Sequence, residues 1–230
     1  MSYNYGPYVN RATKQKNANK EATKLKKKGV KVSPVKIEGR TIAKSFWGKA
    51  WCDDLERNGP DANRLAKART YARNGSIVHL ELSKNKVRAI VAGSSIYQVE
   101  IVFNELEQAK WLAFQNKCKG QVSSLVDLLA GKIPESVMKL VSEEGQGLFP
   151  GTGKMKFSCT CPDFTSLCKH VAAVLYGVGS RLDSDPELIF RLRGVDPRDL
   201  LPEIKSLTKS SNQKAISNEE LEDIFGVDIV

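Results

Sequence analysis

The chain has 230 residues, 41% hydrophobic and 27% charged, enough for one large folded unit or two small ones. It has no uninterrupted apolar run near the ~18 residues of a membrane span, and its opening Met-Ser-Tyr-Asn-Tyr-Gly lacks the apolar core of a signal peptide. Five cysteines, an odd number, argue against a disulfide framework and for a reducing compartment, so a cytoplasmic location with no membrane partner is expected.

The net charge of +10 is concentrated at one end. Residues 1–49 hold thirteen Lys and Arg against Glu21 and Glu38, which leaves 50–230 close to neutral. Around Lys14–Lys28 only Leu25 is a large aliphatic residue, too little to bury a core, so residues 1–39 are expected to form a basic, flexible arm. If the arm becomes helical, Lys16, Lys20, Lys24 and Lys27 or Lys28 fall on one stripe. Lys14, Lys16, Lys20, Lys24, Lys26, Lys27 and Lys28 are the candidate nucleic-acid contacts, with Lys169 further on. Lysine in place of arginine suits attraction to phosphate more than base reading, so DNA with weak sequence specificity is the expected partner. The other reading of the arm is a solubilising tail.

Residues 42–57 place Ile42, Phe46, Trp47, Ala50, Trp51 and Leu55 at near-helical spacing, and Asp61–Arg73 reads as a second helix capped by Asp61. Arg64, Lys67, Arg69 and Arg73 on it read as a solvated face or an extension of the nucleic-acid surface. Strands follow at Ile77–Leu82, Val87–Val91 and Ile96–Phe103, with a hairpin turn at Ser83–Lys86. The fold class is therefore α+β: a small three-stranded antiparallel sheet with helices over 40–115, a helical bridge over 116–147, and a strand-turn-helix module with following helices over 148–202. Arg191, Arg193 and Arg198 could add a second cationic patch near that module. Residues 203–230 read as a linker and a short acidic helix with Leu221, Ile224 and Phe225 as its apolar face, suited to a partner's groove or to folding back.

The densest chemistry lies at Ser158–His170, where Cys159, Cys161, Cys168 and His170 follow a Cys-x-Cys, six-residue, Cys-x-His pattern. Three thiolates and one imidazole complete a tetrahedral zinc shell, leaving no position for water or substrate. That favours a structural Zn2+ over a catalytic one. Lys154–Phe157 alternates like a strand before the motif, and Val171, Val174, Leu175 and Val178 form an apolar helical stripe after it. The competing readings are a strained Cys159–Cys161 disulfide, a Cys168–His170 nucleophilic pair, and cysteines that merely fill a core. Cys52 and Cys118 read as free thiols and His79 as an ordinary strand residue. Gly147–Lys154 lacks the glycine spacing of a phosphate loop, has Met155 where a hydroxyl should bind magnesium, and precedes a strand. No enzyme and no small-molecule substrate are expected.

At these residues the sequence resembles a SWIM-type zinc finger. The likeness extends through Phe157, Pro162, Asp163, Phe164, Lys169 and the helix to Tyr176, and Leu167 replaces the proline usual before the third cysteine. Phe46–Cys52, Tyr71–Gly75, Leu148–Pro150, Asp185–Gly194 and Ile224–Gly226 are similar to segments of bacterial proteins carrying this finger. The resemblance implies zinc and a DNA- or protein-binding role, including association with Swi-Snf-type helicase-like ATPases. The expected function is a zinc-binding, DNA-associated accessory protein, with an adaptor that docks on such an ATPase through the zinc finger and the C-terminal helix as the alternative.

Overall fold

The structure, a computed structural model, describes residues 9–59, 61–163, 165 and 167–202; the linker and acidic helix expected at 203–230 lie outside the described residues. The chain runs α1 (Arg11–Lys27), α2 (Phe46–Asn58), α3 (Ala62–Arg73), β1 (Ile77–Ser83), β2 (Lys86–Ala92), β3 (Ile96–Phe103), α4 (Gln108–Cys118), α5 (Leu125–Leu129), α6 (Glu135–Ser142), β4 (Met155–Cys159), α7 (Lys169–Leu182) and α8 (Leu188–Arg193). Asn10, Ser45 and Asp61 start the first three helices, each accepting a backbone N–H three residues on, which satisfies a donor the helix itself leaves open.

The α+β class holds, but the sheet has four strands and not three, in the order β1-β2-β3-β4, all antiparallel. The strand expected inside the zinc module pairs with β3, Val99 opposite Cys159 and Phe103 opposite Met155. Local alternation reveals a strand but not a partner more than fifty residues away. Segments 40–115 and 148–202 consequently share one apolar core.

At the centre of that core is α7. Its apolar positions were expected on one stripe, yet Val171–Gly179 is buried on every side, between the sheet and helices α2 and α3. Two glycines make the close packing possible. A methyl at Gly179 would meet Cys52 Sγ at 2.7 Å and Trp51 at 3.0 Å, and one at Gly177 would meet Ile77 at 2.9 Å. The Trp51 indole N–H donates to the Leu175 carbonyl at 2.8 Å, and the Trp47 indole to Leu128 at 3.0 Å. The aromatic pair of α2 therefore adds polar anchors to apolar area.

The basic arm is a correction. Residues 11–27 are not a free arm but a helix seated on the other face of the sheet. Ala18 is buried against Val78 and Ala92, with Ala22, Leu25, Ile90 and Ile96 packed around them. A bulge between Ile77 and His79 turns Val78 outward to this helix while Ile77 and Leu80 face α7. Alanine lets the helix approach closely, so a narrow stripe suffices where bulky residues were sought. No helix among the described residues is long and apolar enough to cross a membrane.

Candidate metal centre

Strand β4 ends at Cys159, Cys161 follows on the loop, Cys168 is the N-cap of α7 and His170 is its second residue. One donor atom from each lies within 4.8 Å of every other. Pairing with β3 fixes the first end: Thr160 N–H donates to the Gln98 carbonyl at 3.1 Å, and its hydroxyl accepts the Gln98 N–H at 3.0 Å. The second end is fixed by α7, whose first turn is buried in the core. The cluster thus joins the edge strand of the sheet to the central helix.

The His170 side chain is 2% exposed. Its Nδ1 faces Cys159 Sγ at 3.9 Å. Its ring stacks on Tyr97 with centroids 4.2 Å apart and meets the edge of Tyr71 at 5.3 Å. Nε2 points into this aromatic pocket, buried and without a hydrogen-bond partner. For Nδ1 to bind a metal beside the thiols, the proton of the neutral ring sits on Nε2. A backbone too close for any side chain completes the wall: a methyl on Gly93 would lie 2.8 Å from Tyr97 and 3.4 Å from Nε2.

The three thiols ionise together only with a cation beside them. Cys168 is pulled down to about 3 by its hydrogen bond with Cys159, against the cost of burial, with His170 and the N–H of Val171 adding to the effect. Cys159 is pushed up by the same hydrogen bond and by burial. Burial raises Cys161 as well. The protein alone therefore favours one thiolate and opposes the next two, and only a bound cation makes three thiolates stable together. Among the described residues three sulfurs and an imidazole nitrogen come together here, the donor set of a closed structural zinc site.

A thiolate-rich, closed structural zinc module is thus the class that fold and site define. In sequence comparison, residues 143–178 match the SWIM zinc finger family. The chain carries a SWIM zinc finger, and its Cys159, Cys161, Cys168 and His170 cluster is a zinc site. Over 163 residues the chain is 32% identical to "Uncharacterized protein Rv2102" of Mycobacterium tuberculosis, a match covering 70% of this chain and 58% of that protein. The chain therefore spans less than two thirds of that relative's length. No solved structure matches it.

The candidate nucleic-acid residues divide into groups. Lys16, Lys20, Lys24, Lys26, Lys27 and Lys28 are exposed. Lys20, Lys24, Lys27 and Lys28, with Ser95 of the β2–β3 turn and Ile96 at the start of β3, line an open groove of about 850 Å³. Lys26 lies on the other flank of α1, beside Val32 and Pro34. Lys14 is half-buried, its ammonium 5.2 Å from the centroid of Tyr71, the ring that meets His170. Lys169 is half-buried in the first turn of α7, outside the groove lining.

Two groups of arginines are already engaged within the protein. Arg64 pairs with Asp61 and Asp163, and Arg69 with Glu56 at 2.6 Å while also donating to Tyr176 Oη at 3.2 Å. Arg193 is 2% exposed and donates to the Asn104 carbonyl, and Arg198 is held by Asp196. Moreover, α8 packs at the β1–β2 hairpin, where the Asn85 N–H donates to the Arg191 carbonyl, while the zinc ligand Cys159 pairs with Val99 in the middle of β3. In the second patch expected near the finger, Arg193 and Arg198 are therefore engaged within the protein, while Arg191 stays exposed. Sequence reasoning missed Tyr97 as the platform for His170. The alternation of β3 marks it as inward-facing, but nothing local says what it meets.

Proposed function

We propose that this is a non-enzymatic, DNA-associated accessory protein of the cytoplasm, with zinc as a structural element and α1 as the phosphate-binding surface. The observation that carries this reading is the place of the lysine groove. Ser95 and Ile96, which line it, directly precede Tyr97, the residue stacked on the zinc-ligating histidine. Lysines four apart on a seated helix are about 6 Å apart along its axis, and this preorganisation lowers the entropic cost of binding. When bound, zinc supplies the cross-link and the counter-charge for three thiolates. The chain's own residues supply the rest: Tyr97 and Tyr71 orient His170, and α1 presents the ammonium groups.

The test is fluorescence anisotropy of the zinc-loaded protein with a labelled duplex across a salt series. Neutralising roughly five phosphates gives a log-log salt slope of about −4 to −5. Replacing Lys20, Lys24, Lys27 and Lys28 by Gln is expected to flatten the slope and weaken binding to every sequence alike. Equal binding by that variant would contradict the reading. Absence of binding by either form at low salt would shift the weight to an adaptor role on a helicase-like ATPase, with the finger as the docking element.

A further inference from the structure

Cys161 differs from the other ligands in its support. Cys159 belongs to β4, and Cys168 and His170 to the start of α7, but Cys161 stands on the loop between them. Among the described residues, the side-chain hydrogen bonds that tie loop residues 162–167 to the rest of the protein all run to Arg64. Arg64 lies in the first turn of α3, where its Nε is held by Asp61 at 3.1 Å. Its Nη1 then reaches Asp163, at 3.2 Å from Oδ2 and 3.5 Å from Oδ1, and donates to the Thr165 hydroxyl. Asp163 Oδ1 in turn accepts the Thr165 N–H at 3.2 Å and its hydroxyl at 2.8 Å, closing a local turn. Asp163 follows Cys161 by two residues, so the turn it closes carries the backbone of that ligand. A continuous chain of bonds therefore runs from α3 through one guanidinium to the one ligand that no strand or helix holds.

We propose that Arg64 is a positioning residue of the zinc centre, which fixes the Asp163–Thr165 turn and thereby places Cys161 for the metal. The planar fork of arginine suits this role, since one edge is engaged by Asp61 while Nη1 bridges carboxylate and hydroxyl. Both partners are about a third exposed, so the pair adds little to overall stability. Its effect is on the geometry of the centre. Outer partners of metal ligands typically change affinity by about ten- to a hundredfold when removed.

The test titrates Zn2+ into the full-length protein against a chromophoric chelator, for the wild type and for R64A, R64K, D163N and the R64A/D163N double variant. R69A is the control, because Arg69 sits on the same helix but bonds Glu56 and Tyr176. The expected result is that R64A and D163N each raise the zinc dissociation constant about tenfold or more, that R64K retains part of the wild-type affinity, and that the double variant is no worse than the worse single. R69A lowers thermal stability without changing zinc affinity. In Co2+-loaded R64A the thiolate-to-metal absorption band is altered, which a general loss of stability would not produce. Zinc affinity of R64A within about twofold of wild type, additive losses in the double variant, or an equal loss in R69A would each overturn the assignment. Should R64A fail to fold, R64K and D163N, which keep a polar group at each site, decide the matter by the same criteria.

Discussion

His170 gains its place largely from rings. Tyr97 covers one face and Tyr71 closes an edge, so the imidazole has few orientations other than the one that turns Nδ1 to the thiols. Cys161→Ser and His170→Ala are accordingly expected to lose stoichiometric zinc, measured by metal analysis after gel filtration; full retention in both would contradict the ligand set. The two thiols outside the centre contrast with Cys168. Burial, with Glu56 next in effect, pushes Cys52 up to about 12, and burial pushes Cys118 up to about 11. The thiolate is the reactive form, and a raised value keeps the neutral thiol dominant until the pH climbs past it. At pH 8 the zinc-loaded protein should therefore take up no alkylating agent at Cys52 or Cys118, with labelling rising only above about pH 11. Chelation at pH 8 should open Cys168 to labelling first, since it is the thiol held as thiolate without the metal, as peptide mass spectrometry would show. Labelling of Cys52 ahead of Cys168 would contradict the packing of α2 on α7. Such chemistry was legible in the chain because all four ligands lie within twelve residues. Tyr97 and Arg64 were not, because they reach the centre only through the tertiary fold.

At the scale of elements, two contacts decide the architecture. The crossing of α2 and α7 depends on Gly48 and Gly179, since a methyl at Gly48 would lie 2.6 Å from the Gly179 carbonyl. Gly179→Ala forces Cys52 and Trp51 aside and is expected to cost about 1–3 kcal/mol in urea denaturation, the usual penalty for overpacking a filled core. The seat of α1 depends on Ala18, 4% exposed against Val78 and Ala92. Ala18→Asp places a carboxylate there without a partner and is expected to release α1. Hydrogen exchange would show lost protection over 11–27 and retained protection in β2 and β3; unchanged protection in α1 would contradict the docking. Most helices and the first three strands were readable from periodicity, caps and turn residues, as at Asp61 and at Ser83–Lys86. The two misreadings share a cause. Ala18, Ala22 and Leu25 recur at helical spacing, and Gly177 and Gly179 interrupt an apolar helix, but small residues signal close approach only once it is known what approaches.

For the whole molecule, the zinc centre is a staple between two halves of one core. It joins the end of β4, the edge strand, to the first turn of α7, the helix on which α2, α3 and the sheet pack. Without the cation, two of the three thiols resist ionisation and the loop loses its cross-link. Much of the metal's binding energy is then folding energy for the entire unit, not for an isolated finger. The seat of α1 is included, because Lys14 rests on Tyr71 and Tyr71 on His170. The most direct measurement is thermal unfolding of the zinc-loaded and the chelated protein, followed by tryptophan fluorescence. Trp51 reports the α2–α7 packing through its bond to Leu175, away from the ligands themselves. A single transition that moves to markedly lower temperature on chelation, and returns with added zinc, is the predicted result. A tryptophan transition unchanged by complete removal of zinc would contradict the staple and reduce the finger to an appendage of a fold that stands without it.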